Sequence, residues 1–263
     1  MNYKTKDFYI ILVIYNKNYH DSKTIQDLNQ IKDLDKKNII VVDNSTKDYN
    51  NQNIIKEYGY QYISMNGNKG LPKAYNQGLN KIDKNANLVC LFDDDTAVEK
   101  IYFDTALNYI NGEEADVYIP VVKDQLGMLS PLIMKNLYCH RVKNIDVLNN
   151  ENISAINSGM IIKSEVFKNY KYDENLFLDF VDHDFMKSMK KQNRNIVIMK
   201  NNMLIQDFSL VSDSGKKAKI RFKILKKDLK YFYRNHPFYY YYVIIRRKLG
   251  MCYFQKSILP LIW

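Results

Sequence analysis

Glycine and proline are scarce in this chain, at 9 and 5 of 263 residues, and no glycine-rich loop follows its first apolar run. A dinucleotide-binding unit needs G-x-G-x-x-G at that point, whereas residues 15–20 read YNKNYH. No Walker A sequence occurs either. These gaps exclude the usual nicotinamide oxidoreductase, the glycine-loop methyltransferase and the P-loop ATPase. Cysteine is limited to Cys90, Cys139 and Cys252, with no C-x-x-C pair. Neither a zinc knuckle nor a disulfide framework is supported, and a reducing cytoplasm is the expected compartment. Long apolar runs are missing too. The N-terminal run FYIILVIY (8–15) is far shorter than the ~20 residues of a membrane-spanning helix and has no small-residue cleavage site. It is expected to be a buried strand.

Apolar residues make up 46% of the chain, enough for a substantial core. Charge is unevenly distributed. From Gly215 onward the chain holds 13 of its 39 Lys and Arg but only one of its 29 acids, Asp228, so the first 214 residues are close to neutral. This divides the chain into an expected catalytic domain, 1–214, and a basic, aromatic helical tail, 215–263.

Short β-branched runs recur at 8–15, 38–42, 60–65, 88–92 and 117–122. Their continuous apolarity predicts strands covered on both faces, as in a parallel sheet. Helices are expected around Ile25, Leu28 and Ile31, over 71–82, and after Val98. The order predicts an α/β wound sheet. Further on, 154–162 and 195–199 read as strands, and 182–191, 216–234 and 237–249 as helices.

Ligands of open α/β sheets bind at the carboxyl ends of strands. Here those ends carry Tyr15-Asn16, Asp43-Asn44-Ser45, Asn66 to Gly70, and Asp93-Asp94-Asp95-Thr96. Three adjacent carboxylates repel one another unless a cation intervenes, and oxygen-only ligands suit Mg²⁺ or Mn²⁺. An isolated acid triplet is ordinarily a solvated helix cap. Placed directly after the buried run LVCLF, it reads better as a metal site.

The ordered segments VIYN, VVDNS, NKGLPKAYNQGL, LFDDDT, INSGMIIK and LFLDFVDHDFMKSMKK resemble family 2 glycosyltransferases of the GT-A fold, in particular the bacterial rhamnosyltransferase-like branch. The resemblance spans roughly residues 8–208 and implies a mostly parallel central sheet flanked by helices. It further implies that Tyr15 and Asp43 hold the nucleobase and ribose of a nucleotide-sugar donor, with Asn44 nearby. Asn68, Gly70 and Lys73 would line the donor pocket. Asp93 and Asp95 would form the D-x-D pair, Asp95 on a Mn²⁺ or Mg²⁺ ion and Asp93 toward the ribose or metal waters. Asn157, Ser158 and Gly159 would face sugar or acceptor, and Asp182 would be the general base of an inverting transfer. The same resemblance favours dTDP-rhamnose, then UDP-hexoses, as donor, and a glycan or lipid-linked acceptor in surface polysaccharide synthesis. Relatives commonly carry a His after the last strand. This chain has Gln206-Asp207 there, and Asp207 is a candidate oxygen substitute.

Asp182 and Asp184 also suit a plain helix cap. His183, with no second His at ligand spacing, is expected on the helix surface, and Cys90 and Met65 in the core. The basic, aromatic tail suits an anionic membrane interface, which would make the protein peripheral on the inner face of the cell membrane. A solvated helical face or a homodimer contact is the alternative. A nucleic-acid-binding protein would share the net charge of +10, but its acidic strand ends would repel phosphate, so no nucleic-acid partner is expected. A nucleotidyltransferase would need a glycine-rich signature that is missing here.

Overall fold

The computed structural model describes residues 2–135, 137–206 and 215–263, and the structural statements that follow are made of these. The chain runs β1 (Phe8–Ile14), α1 (Lys23–Gln30), β2 (Ile39–Asp43), α2 (Asn51–Glu57), β3 (Gln61–Ser64), α3 (Leu71–Leu79), β4 (Leu88–Asp93), β5 (Thr96–Ala97) and α4 (Lys100–Gly112). It continues through β6 (Val117–Asp124), β7 (Gly127–Ser130), β8 (Leu132–Lys135), β9 (Tyr138–Arg141), β10 (Ile153–Ser154), β11 (Ile161–Lys163) and α5 (Val181–Lys191). Last come β12 (Ile196–Gln206), α6 (Gly215–Phe232) and α7 (Pro237–Gln255).

The main sheet has the order β3-β2-β1-β4-β11-β6-β12-β5, with β7 alongside β6. Strands β3, β2, β1 and β4 are parallel, as are β6 and β12, while β11 runs antiparallel between β4 and β6. The chain winds outward through β1, β2 and β3, then returns to place β4 on the other side of β1. That reversal opens a crevice at the carboxyl ends of β1 and β4.

Alternate residues of each strand supply two cores. Ile11, Val13, Ile40, Val42, Val89 and Leu91 face one way, into a cluster with residues of α3, α5, α6 and α7. Ile10, Leu12, Ile39, Val41, Cys90 and Phe92 face the other way, toward α1 and α4. Both faces are covered, so the strands read as unbroken apolar runs. Cys90 is fully buried, and Met65 is partly buried against the first cluster.

The run 154–162 does not form one strand. Ile153–Ser154 joins a small antiparallel sheet with β8 and β9, and Ile161–Lys163 enters the main sheet. The chain crosses between them through Gly159, whose φ of +75° requires glycine, and a Cβ there would lie 2.2 Å from Leu204.

Charge changes sharply at residue 214, but packing continues across it. Phe222, Leu225, Leu229, Phe232 and Tyr233 are each 7% exposed or less and belong to the same cluster as β1, β2 and β4. Their spacing makes one apolar stripe, with the cations on the rest of the helix. Burying each such side chain contributes about 1.5–3 kcal/mol, against a total stability of about 5–15 kcal/mol for a typical domain. Deleting residues 215–263 is therefore expected to abolish cooperative thermal unfolding, read by circular dichroism. A truncated chain with a sharp transition of undiminished amplitude would refute this.

Candidate active site

The acid turn follows β4 because the strand ends where its carboxylates reach the crevice. Side chains from distant segments pin its backbone. Ser158 Oγ accepts from Asp93 N at 3.1 Å and lies 2.7 Å from Thr96 Oγ1. Thr24 Oγ1 lies within hydrogen-bond distance of Asp93 O (2.6 Å) and Thr96 O (2.8 Å) and accepts from Thr96 N. Ser22 Oγ donates to Asp94 O at 2.9 Å. Ser158 is fully buried in this role, and Gly159 N donates to Leu91 O. These two residues support the acid turn from below.

The three carboxylates are treated differently. Asp94 pairs with Lys17, with Nζ 2.6 Å from Oδ1. Asp93 and Asp95 share one amide: Gln206 Nε2 donates to Asp93 Oδ2 at 2.9 Å and to Asp95 Oδ1 at 3.0 Å. Pairing of β12 with β5 sets Gln206 opposite Thr96, which brings the amide to the turn. Burial, together with the charge of Asp95, pushes the Asp93 carboxyl up to about 7, although the Gln206 bond opposes this. Burial and Asp94 push Asp95 up to about 6, against the Gln206 bond and Lys17. Two crowded, partly desolvated carboxylates that resist ionisation suit a hard divalent cation. The buried Gln206 Oε1 has no hydrogen-bond partner, so a third oxygen stands beside the pair. Among the described residues no cluster of three His, Cys, Asp or Glu of metal-holding arrangement occurs, and Asp207 lies outside the described residues.

The ends of β1 and β2 form the adjoining wall. Tyr15 is 47% exposed at the mouth. Asp43 is buried, accepting from Tyr62 Oη at 2.9 Å, Asn51 Nδ2 at 3.2 Å and Ser45 N at 3.0 Å. Asn44 clamps the next loop, taking Lys69 N on Oδ1 at 2.8 Å and donating to Asn68 Oδ1 at 3.1 Å. Asn68 Oδ1 also accepts from Gly70 N at 3.0 Å. Gly70 has φ +92°, and a Cβ there would stand 2.9 Å from the Phe177 carbonyl. Lys73 is exposed in the first turn of α3.

Opposite lies the first turn of α5. Asp182 is close enough to Asp93 for its charge to help raise the Asp93 carboxyl, and its side chain is 23% exposed. Its Oδ1 accepts from His183 N at 2.8 Å. The neighbouring acids face elsewhere. Asp179 is forked by Arg221, and Asp184, raised first by burial, senses Asp173, Lys187 and Arg234. Between the acids, the Tyr75 hydroxyl is fully buried near Asp93 and Asp182 and has no partner at hydrogen-bond geometry. Asn157 Nδ2 is also buried and unpartnered. Tyr75 nevertheless sits close enough to Asp93 and Asn157 to interact with both.

His183 corrects the sequence expectation of a surface residue. Its side chain is 15% exposed, and Nδ1 lies 2.8 Å from Ser154 Oγ. Packing of α5 against β10 turns the ring inward. Burial disfavours the imidazolium, but Asp182 and Cys139 outweigh it and hold the group up to about 9. Lys17, Tyr75 and Gln206 also escaped sequence reasoning. Gln206 alone carried a signal, since it stands in the segment where a His was missing.

A mostly parallel sheet with paired carboxylates at its switch point, faced by an acid on a helix start, defines a GT-A glycosyltransferase fold. The profile of glycosyl transferase family 2 matches residues 9–171, and the chain belongs to that family. Over 220 residues the chain is 26% identical to dTDP-rhamnosyl transferase RfbF of Shigella flexneri, covering 81% of this chain and 71% of that one. S. aureus TarS 1-349 superposes with a TM-score of 0.55 at 17% identity, covering 86% of this chain and 72% of that chain. GalNAc-T7, solved with UDP, GalNAc and Mn²⁺, gives a TM-score of 0.60 at 13% identity over 88% of this chain and 51% of its own.

Because Asp93 and Asp95 keep protons in the folded state that the unfolded chain has already released, metal-free protein should lose stability as pH rises from about 4 to about 7. Asp93→Asn removes one such group. In chelator-treated protein at pH 8 it is expected to gain on the order of 1–3 kcal/mol over wild type, discounted for partial solvent access. The gain should shrink toward pH 5. A thermal-melt difference independent of pH would contradict this account.

Proposed function

We propose that this family 2 glycosyltransferase is inverting and metal-dependent. Its donor would be dTDP-rhamnose or a UDP-hexose, and its acceptor a glycan or lipid-linked glycan of surface polysaccharide. The observation that carries the reading is the juxtaposition of the Asp93–Asp95 pair, bridged by Gln206, with Asp182 across the crevice. Asp95 and Asp93 would hold Mn²⁺ or Mg²⁺. When bound, the ion offsets charge developing on the leaving diphosphate.

The remaining work falls to the chain. Tyr15 and Asp43 offer a wall for nucleobase and ribose. Asn68 braces the donor loop through its side-chain oxygen, Gly70 lets that loop close on the Phe177 carbonyl, and Lys73, exposed beside it, supplies a cation for phosphate. Tyr75 and Asn157 lie buried beside Asp93 and back the acid pair from inside. Asp182, at a helix N-terminus, takes the proton of the attacking hydroxyl. One base and one leaving group describe a single displacement, hence inversion.

With Mn²⁺ and a panel of nucleotide sugars, wild type is expected to release nucleoside diphosphate. Asp95→Ala should lose the metal-dependent part of nucleoside diphosphate binding, measured by isothermal titration. Asp182→Asn should bind normally yet turn over at least 100-fold more slowly, within the range that general base catalysis contributes. Metal-independent affinity in wild type, or near-normal turnover in Asp182→Asn, would sink the respective assignment.

The acceptor's lipid link is supported by α7. Phe238, Tyr241, Tyr242, Ile245, Leu249 and Tyr253 are exposed at spacings that share one helical face, with Arg246 beside them. No helix among the described residues is long and apolar enough to cross a membrane. The face suits an interfacial position, rings at headgroup depth and cations on anionic lipid at about 1 kcal/mol each. Sedimentation with phosphatidylglycerol vesicles is expected to exceed that with phosphatidylcholine and to weaken with salt. The triple change Phe238→Ser, Ile245→Ser, Leu249→Ser should abolish it. A wild-type dimer that ignores vesicles and dissociates on that change would make the face a subunit contact instead.

A further inference from the structure

The one acid among the cations of α6 is fully buried. Asp228 Oδ1 accepts from Phe177 N at 2.9 Å, and Oδ2 accepts from Leu178 N and Asp179 N, each at 2.8 Å. Three successive backbone N–H groups converge on one carboxylate, which satisfies a buried charge that burial alone would penalise.

The segment so gripped lies between the two halves of the site. On one side the Phe177 carbonyl accepts from Leu71 N at 2.7 Å, directly after Gly70 of the donor loop. On the other the chain passes through Phe180, at φ +66°, into the first turn of α5 and Asp182. Further ties from α6 hold the same stretch. Arg221 forks Asp179, with Nη2 2.7 Å from Oδ1, and Tyr231 Oη donates to Asp173 at 2.7 Å. The Phe232 ring packs 4.8 Å from that of Phe180.

We propose that Asp228 is a positioning residue: by holding the N–H groups of 177–179 it sets the span between the Gly70 loop and Asp182. What it positions rests on the glycosyl-transfer reading, whereas the strap itself does not. A side chain that merely stabilised the core would act on melting temperature alone. A strap acts on the exchange of three particular amides and on turnover.

The test uses the full chain. In Asp228→Asn one oxygen becomes an N–H₂ group facing N–H donors, so the grip loosens with little change of shape. Leu229→Ala, the next residue and fully buried in the core, is the control for plain destabilisation. Hydrogen exchange of peptides covering 176–183 is expected to quicken at least tenfold in Asp228→Asn and to stay near wild type in Leu229→Ala. Turnover at saturating nucleotide sugar should fall at least tenfold in Asp228→Asn, while the Kd for nucleoside diphosphate with Mn²⁺ moves less than threefold. Unchanged exchange at 177–179, or equal turnover loss in the control, would overturn the proposal. If Asp228→Asn fails to fold, Arg221→Lys provides the second reading, with a three- to tenfold loss of turnover expected and no loss overturning it. A wild type inactive on every donor would refute the glycosyl-transfer reading, and exchange alone would then decide whether the strap exists.

Discussion

Three carboxylates in succession at the end of a buried strand repel one another, and most of the site is arranged around that repulsion. Asp94 pairs with Lys17 yet still presses on Asp95, while Asp93 and Asp95 face each other across a single amide. Burial raises both carboxyls and repulsion from neighbouring acids adds to it, and because an amide donates hydrogen bonds but carries no charge, both remain above the ordinary carboxylate range. The pair is therefore under electrostatic stress that a divalent cation would relieve. The same stress explains the dense backbone support from Thr24, Ser158 and Thr96, without which the turn could relax and the acids spread apart.

Much of this was legible in the sequence because burial on both faces leaves a plain signature. Strands β1, β2 and β4 read as unbroken apolar runs, and their polar ends mark the rim of the crevice. The stretch 154–162 was harder to read, since it serves two sheets and residues 155–160, turning at the left-handed Gly159, carry the chain from one to the other. Strand β9, Tyr138–Arg141, mixes aromatic, thiol and basic groups and carries no pattern to find. Gln206 acts on acids 111 and 113 positions away, through a strand pairing that no local window reveals. His183 alternates with acids on a helix start, and only the packing of α5 on β10 decides that it points inward.

The C-terminal region holds a different lesson. Its charge suggests a separate appendage, yet Phe222, Leu225, Leu229 and Phe232 recur at helical spacing within the same residues. Both signals are real, and they occupy opposite faces of α6. Charge describes the face that water sees, whereas the apolar stripe describes what the helix packs against.

The one acid of that helix joins the two descriptions. A lone buried carboxylate would be costly in an apolar interface, so Asp228 persists there only because three N–H groups meet it. Those groups belong to the segment that carries the Phe177 carbonyl to the Gly70 loop and leads into α5. Strand ends alone would leave the Gly70 loop and the acid of α5 on independent loops, free to drift relative to each other. Because α6 is anchored in the sheet's own core and grips the segment between them, the spacing across the crevice inherits the rigidity of that core. A helix whose outer face is basic thereby stands one carboxylate away from the geometry on which transfer would depend.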